Sequence, residues 1–263
     1  MTATRTESLA AIRTERAAVL DFLGTLTDAE WARPSAAAGW TVQDVVTHMT
    51  GVIRAAITPA ALQLVFSRAV ERTNDRVVAE SRTRTPQQTL RDFENWSARG
   101  ITGLRLFTAP GVSRIPLRIG ELGWYPLHIF PALYIFDWHT HLRHDLAPAL
   151  DRPAPATDDT RMRAIVTWLM TLLEHSHRDQ LSWLTAPIAL TFTGPGASTW
   201  TIEPGSKLRV VPTTAAAPAA HIHTAATDFP AWSTTRRAWK DCDITIEGDT
   251  ALATRFLDSI NLV

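Results

Sequence analysis

The sequence has few of the features that mark secreted, membrane or nucleic-acid-binding proteins. Its 263 residues include one cysteine, Cys242, which excludes an internal disulfide and a cysteine-rich zinc site. No apolar run approaches the roughly 18 residues of a membrane helix, and the charged N-terminal stretch is unlike a signal peptide. Twenty-six basic side chains balance 26 acidic ones, which argues against a nucleic-acid-binding role. We therefore predict a cytoplasmic protein with no membrane or nucleic-acid partner.

The spacing of apolar residues changes in character along the chain. Apolar residues recur every three or four positions in the first part, which predicts helices over 9–23, 42–53, 60–79, 86–106, 127–146 and 158–181. Pro131 predicts a kink or a late start in the fifth of these. Residues 108–126 are rich in glycine and proline and predict a long loop.

Alternating patterns dominate after residue 186. They predict strands over 188–192, 199–203, 207–211, 221–224 and 244–247, with helices over 228–239 and 250–260. Pro148, Pro153 and Pro155 indicate a linker between the two patterns. The sequence thus predicts an α+β protein of two domains, a helical bundle over 1–150 and a small α/β domain over 158–263.

The placement of histidines points to chemistry. Asp137 and His141, in the segment FDWHTHLRHD (136–145), are four residues apart and share one face of a helix. Two ligating side chains at that spacing can bind one metal ion.

A third candidate ligand lies on an earlier helix. Thr41 and Asp44 predict a helix start, and His48 then shares a face with Val45 and Met49 that should point into the bundle. If the two helices face each other, His48, Asp137 and His141 form a three-ligand site with one open position, the arrangement typical of catalytic zinc. An ion in such a site lowers the pKa of a bound water or thiol.

Other interpretations of these histidines stay open. A single core histidine is more often a hydrogen-bonded packing residue than a ligand. His144 and Asp145 are either surface charges or outer partners of a ligand, and His139 should face elsewhere. His221 and His223 share one face of a strand, where a solvated surface is favoured over ligation.

Three segments carry a family resemblance. Residues 26–50, LTDAEWARPSAAAGWTVQDVVTHMT, resemble the N-terminal signature of the mycothiol-dependent maleylpyruvate isomerase family. FDWHTHLRHD resembles its second signature, with Asp137 where the family usually has glutamate. Residues 234–257, TTRRAWKDCDITIEGDTALATRFL, resemble the sterol-carrier-like domain of the same proteins.

The resemblance implies a fold and a set of site residues. The fold is a DinB-like four-helix bundle followed by a small sterol-carrier-like α/β domain. The implied metal ligands are His48, Asp137 and His141, with zinc as the expected ion. The catalytic arginine is Arg236 or Arg237, and the spacing before Trp239 favours the first.

The resemblance also implies a mechanism and a thiol cofactor, mycothiol. The metal holds the mycothiol thiol as a thiolate, which adds to an activated double bond. Rotation and elimination then give the trans isomer, while an arginine binds a substrate carboxylate. The protein needs no cysteine for this chemistry, so we predict a structural role for Cys242. We expect the protein to be a monomer or a homodimer.

Two other functions remain compatible with the sequence. The same metal site could act directly on a substrate as a lyase, hydrolase or cyclase without a thiol, with Trp124 and Tyr125 shaping an apolar pocket. Alternatively, the C-terminal domain binds an apolar ligand and the bundle is a non-enzymatic scaffold, which the departure at Asp137 keeps open.

Overall fold

The chain divides into two compact units. The computed structural model describes residues 4–60, 65, 67, 70–213 and 217–262. The first unit spans Thr4–Ala156 and the second starts at Thr157. Within the described residues, no helix combines the length and apolar character that crossing a bilayer requires. The architecture is the predicted α+β arrangement, helical first and sheet-containing second.

The first unit is built mainly from helices. They are α1 (Arg5–Leu23), α2 (Asp28–Trp31), α3 (Val42–Ala55), α4 (Val70–Ser81), α5 (Pro86–Phe107) and α6 (Phe130–Thr140), which a π-helix (His141–Leu146) continues. The predicted late start at Pro131 is confirmed, because this proline lies in the first turn of α6. Part of the helix predicted over 60–79 lies outside the described residues.

Close packing holds the bundle together. Helix α3 packs against α4 and α5, while α1 packs against α5 and α6. A Cβ atom on Gly100 of α5 would collide with Ile53 of α3, so the glycine permits the close approach of these helices. Phe93 and Trp138, both fully buried, meet edge to face with ring centroids 5.4 Å apart. The helices that carry the candidate ligands therefore pack closely against the buried core of the first unit.

The loop predicted over 108–126 is wrong in its second half. Strands β1 (Pro116–Ile119) and β2 (Gly123–Pro126) form an antiparallel hairpin. Four-residue strands rich in glycine and proline are too short to give an alternating signal. Tyr125 is fully buried and its hydroxyl donates to the Leu122 carbonyl (2.7 Å), so Tyr125 is a core residue rather than the predicted pocket wall. Trp124 beside it is 59% exposed.

In its described residues, the second unit forms a five-stranded sheet with three α-helices. Its strands are β3 (Ile188–Thr193), β4 (Ser198–Glu203), β5 (Arg209–Val211), β6 (Ala220–Ala225) and β7 (Ile244–Gly248), in the spatial order β5-β4-β3-β6-β7. Only the central pair β3–β6 is parallel among these described strands. The helices are α7 (Asp159–Ser176), α8 (Phe229–Ser233) and α9 (Thr250–Asp258).

The helix predicted over 228–239 is much shorter in the structure. It ends at Ser233, and Thr235 adopts a left-handed backbone conformation with φ of 56°. A residue in that conformation ends a helix, and the apolar spacing did not reveal it. A short 3₁₀ turn, Trp239–Asp241, follows before β7.

Candidate metal centre

The structure brings together the three side chains that the sequence singled out. His48 on α3 meets Asp137 on α6 and His141 at the start of the π-helix. Asp137 Oδ1 lies 3.2 Å from His48 Nε2 and 3.6 Å from His141 Nε2. One ligand atom of each residue lies within 4.8 Å of the other two. Two imidazoles and a carboxylate therefore surround a single point.

The start of helix α3 fixes the position of His48. The Thr41 hydroxyl accepts from the Asp44 amide (3.1 Å), and the Asp44 carboxylate accepts from the Thr41 amide (3.0 Å). This capping box satisfies two amides that the first turn would otherwise leave unpaired. The Arg82 guanidinium also contacts Asp44 at 3.3 Å. One turn further on, His48 is 8% exposed and points into the unit, as its spacing predicted.

The π-helix provides an outer partner for His141. Asp145 Oδ2 lies 2.6 Å from His141 Nδ1, and Asp145 is 1% exposed. The sequence left Asp145 open as a surface charge or an outer partner, and its burial excludes the surface role. A carboxylate on the outer nitrogen holds the ring orientation and leaves the lone pair of Nε2 on the inner side, where it can bind a metal ion. Single π-turns of this kind are frequent at functional sites.

A buried ion pair ties the π-helix to α1. Arg143 contacts Glu15 of α1 at 2.5 Å, and its guanidinium donates to the carbonyls of Pro155 (2.9 Å) and Ala156 (3.0 Å). Glu15 has no exposed surface. The sequence does not predict this pair, because Glu15 and Arg143 are 128 residues apart and no local pattern links them. The one local indication of a buried ion pair was the position of Glu15 on the apolar face of the helix predicted over 9–23.

An aromatic ring lies beside the cluster. The Trp40 ring centroid is 5.0 Å from that of His48, and the Trp40 indole donates to Asp75 at 3.1 Å. The turn before Trp40 is tied to the π-helix, because the Ala36 amide donates to the Asp145 carbonyl (3.0 Å). The Gly-Trp-Thr segment of the first signature thus places the Trp40 ring next to the candidate ligand His48.

The surroundings of the cluster are poor in solvent. Burial raises the pKa of the Tyr134 phenol well above its ordinary value, and the negative charge of Asp137 raises it further. Tyr134 is therefore a neutral hydroxyl at physiological pH. His48 and His141 are both largely removed from water as well.

The donor set fits a divalent ion such as zinc. Imidazole nitrogen and carboxylate oxygen are ordinary zinc ligands, and three protein ligands leave a coordination position for another molecule. Asp137 is one methylene shorter than glutamate, yet its Oδ1 already approaches both inner imidazole nitrogens. The shorter carboxylate therefore does not prevent convergence.

The two candidate arginines lie in the second unit and differ in their partners. Arg237 forms an ion pair with Asp228 (2.8 Å) and donates to the Cys242 sulfur at 3.0 Å. Burial alone would lower the pKa of Arg237, but these two contacts outweigh it and raise the pKa. Arg236 is half-buried and donates to the Thr234 hydroxyl at 2.9 Å. Burial raises the pKa of the Cys242 thiol, which is protonated at neutral pH.

Comparisons with known proteins agree with the motifs. Residues 12–105 match the sequence model of a family described as the mycothiol maleylpyruvate isomerase N-terminal domain. A search of the curated proteins finds no match.

The fold of the chain is similar to that of two solved structures. Two crystal structures of the mycothiol-dependent maleylpyruvate isomerase, one of a histidine-to-alanine mutant, superpose with TM-scores of 0.58 and 0.59. Each is 15% identical in sequence and the alignment covers 94% of this chain and 96% of the other. In its N-terminal sequence and in its two-unit fold, the chain therefore resembles the mycothiol-dependent maleylpyruvate isomerases, as its motifs predicted.

Proposed function

We propose that the protein is a metal-dependent enzyme that uses mycothiol to isomerise, or to transfer the thiol to, a small unsaturated carboxylate. The convergence of His48, Asp137 and His141 on one point carries this proposal. The match of residues 12–105 to a mycothiol maleylpyruvate isomerase domain supports the choice of thiol. The substrate class is that of the enzymes with a similar fold.

The three residues would hold a divalent ion, with zinc favoured by the two imidazoles and the carboxylate. When bound, such an ion lowers the pKa of a thiol that occupies the open position, so that mycothiol is a thiolate at neutral pH. The chain then needs no nucleophile of its own. That agrees with the raised pKa of Cys242, the sole cysteine.

The surrounding residues prepare this site. Asp145 holds the proton of His141 on Nδ1, which leaves the Nε2 lone pair available at the point where the three side chains converge. The indole ring of Trp40 lies against His48, with ring centroids 5.0 Å apart. Tyr134 stays protonated and adds no negative charge beside Asp137. Each of these features strengthens the electrostatic interactions that a bound thiolate would make.

Arg236 is our candidate for binding the substrate carboxylate. A guanidinium pairs with a carboxylate through two parallel hydrogen bonds and stabilises charge that develops next to it. The spacing in the C-terminal signature, in which the arginines precede Trp239, favours Arg236.

The experiment is a two-by-two assay of cis–trans isomerisation of maleylpyruvate by the purified protein. Zinc and mycothiol are each supplied or omitted, and His128→Ala is the matched histidine control, since His128 is exposed. We expect turnover only when both are present, and the same rate in the control. With cobalt in place of zinc, added mycothiol should produce a thiolate-to-cobalt charge-transfer band.

Other results would select another function. Activity on an unsaturated substrate that needs zinc but is unchanged without mycothiol would favour an enzyme that acts directly on its substrate. Failure to bind a divalent ion, with binding of an apolar ligand by the intact chain, would favour a non-enzymatic role. Either result overturns the thiol-dependent proposal.

A further inference from the structure

The second unit contains a second cluster of metal-ligating side chains. His221 and His223 lie on β6 and Glu247 lies on β7. One ligand atom of each residue lies within 4.8 Å of the other two. All three residues belong to one sheet, so the cluster depends on strand pairing alone.

Strand geometry places these side chains together. Residues two apart on a strand point to the same face, which puts His221 and His223 side by side. Their rings stack with centroids 4.1 Å apart and an interplanar angle of 28°. In the antiparallel β6–β7 pair, Glu247 is directly opposite His221, and its Oε1 lies 3.8 Å from His223 Nε2. The carboxylate therefore faces both rings.

The two imidazoles differ in what they contact. His221 Nε2 lies 2.7 Å from the Thr191 hydroxyl, which is itself 2.9 Å from the Thr199 hydroxyl on β4. Hydrogen bonds of this kind fix ring orientation at metal sites. His223 Nε2 has almost no exposed surface and makes no hydrogen bond within the described part of the chain. Burying a ring nitrogen that makes no hydrogen bond costs free energy, and binding a metal ion would offset that cost.

We propose that His221, His223 and Glu247 form a second binding site for a divalent transition-metal ion, with zinc as the best-fitting ion. Two imidazoles and one carboxylate are a ligand set of zinc sites with an open position. Glu247 is exposed, so water completes the coordination and the ion exchanges with solvent. The site is independent of the proposed function, because it contains none of the residues assigned to the bundle cluster.

The test counts zinc equivalents on metal-free full-length protein by calorimetric titration. The wild type should bind two ions, His141→Ala one, and His141→Ala combined with His223→Ala none. Adding His175→Ala to His141→Ala removes an exposed histidine of the same unit and should leave one ion bound. Glu247→Gln in the His141→Ala background should weaken zinc binding about tenfold or more.

The outcomes separate this site from the bundle site. If only the bundle site exists, the wild type binds one ion, His141→Ala binds none, and His223→Ala has no effect, which overturns the proposal. If only the sheet site exists, the wild type binds one ion that His223→Ala removes, and the proposed function fails instead. The single variant His223→Ala gives this answer even if His141→Ala does not fold.

Discussion

The bundle and the sheet each gather two histidines and a carboxylate, but they do so in different ways. In the bundle, His48 and His141 come from separate helices and are buried, and Asp145 supports one of them. In the sheet, His221 and His223 are neighbours on one strand and face a solvent-exposed glutamate. Similar donor atoms therefore give an enclosed, oriented site on the helices and an open site on the sheet. We therefore expect the bundle to bind metal more tightly.

The largest expected effect is on His141, a proposed ligand in the bundle. His141→Ala removes one of the three proposed ligands, so we expect zinc affinity at this site to fall more than a hundredfold, beyond the range of losses for outer partners. Mycothiol-dependent turnover should disappear, while the circular-dichroism spectrum stays unchanged because packing forms the core. His128→Ala is the control. A metal-free His141→Ala protein with full activity would contradict the role of the site.

The next effect is on the stability of the first unit. Glu15→Ala leaves Arg143 buried without its carboxylate, which should lower the free energy of unfolding by about 3–5 kcal/mol. The matched variant in the second unit is Arg163→Ala, because the Arg163–Asp159 pair is exposed (2.6 Å). Its loss should cost about 0–1 kcal/mol. Urea unfolding measures both, and equal losses would show that burial does not distinguish the two pairs.

The outer partner of His141 should have a smaller effect than the ligand itself. Asp145→Asn keeps the size of the side chain but removes its negative charge, and we expect zinc affinity to fall about 10–100-fold. Thr191→Val tests the corresponding contact in the sheet, at His221. Competition with a chromophoric chelator measures both. An unchanged affinity in Asp145→Asn would mean that packing alone orients His141.

The two candidate arginines can be separated kinetically. Arg236→Ala should raise the KM for an anionic substrate about 10-fold or more, as expected for a hydrogen bond to a charged group, and leave zinc affinity unchanged. Arg237→Ala removes the ion pair with Asp228 and should act on stability with little change in KM. Steady-state kinetics and zinc titration on both variants decide the question. A rise in KM with an equally large loss of zinc affinity in Arg236→Ala would indicate a structural role.

The smallest effect concerns the pH dependence of the second unit. Burial lowers the pKa of His177 below its ordinary value of 6.5, and its Nε2 accepts from the Asn261 amide (3.3 Å). Below pH 6.5 the unfolded chain takes up a proton that the folded ring resists, so stability should fall with decreasing pH. His177→Gln should flatten this dependence in urea unfolding between pH 5 and 7. A slope identical to that of the wild type would contradict it.

Local sequence patterns were enough to identify the candidate ligands. The four-residue spacing of Asp137 and His141 and the apolar stripe around His48 both follow from helix geometry. Likewise, the alternating pattern of β6 placed His221 and His223 on one face. Which side chains share a face of a single helix or strand was therefore predictable from the sequence.

Contacts between distant parts of the chain were not predictable in the same way. The Arg143–Glu15 pair joins residues 128 positions apart, and the opposition of His221 and Glu247 depends on strand register. The π-helix that presents Asp145 has no recognised spacing signal, and the positive φ of Thr235 ended a predicted helix early. These features arise from tertiary packing that overrides local propensity.

Anomalous diffraction at the zinc absorption edge, on crystals of the full chain grown with zinc, tests the bundle site directly. We predict a peak in the first unit within bonding distance of His48 Nε2, His141 Nε2 and an Asp137 carboxylate oxygen. A map with no peak among these three side chains, from crystals whose protein binds zinc elsewhere, would show that they do not form a metal site.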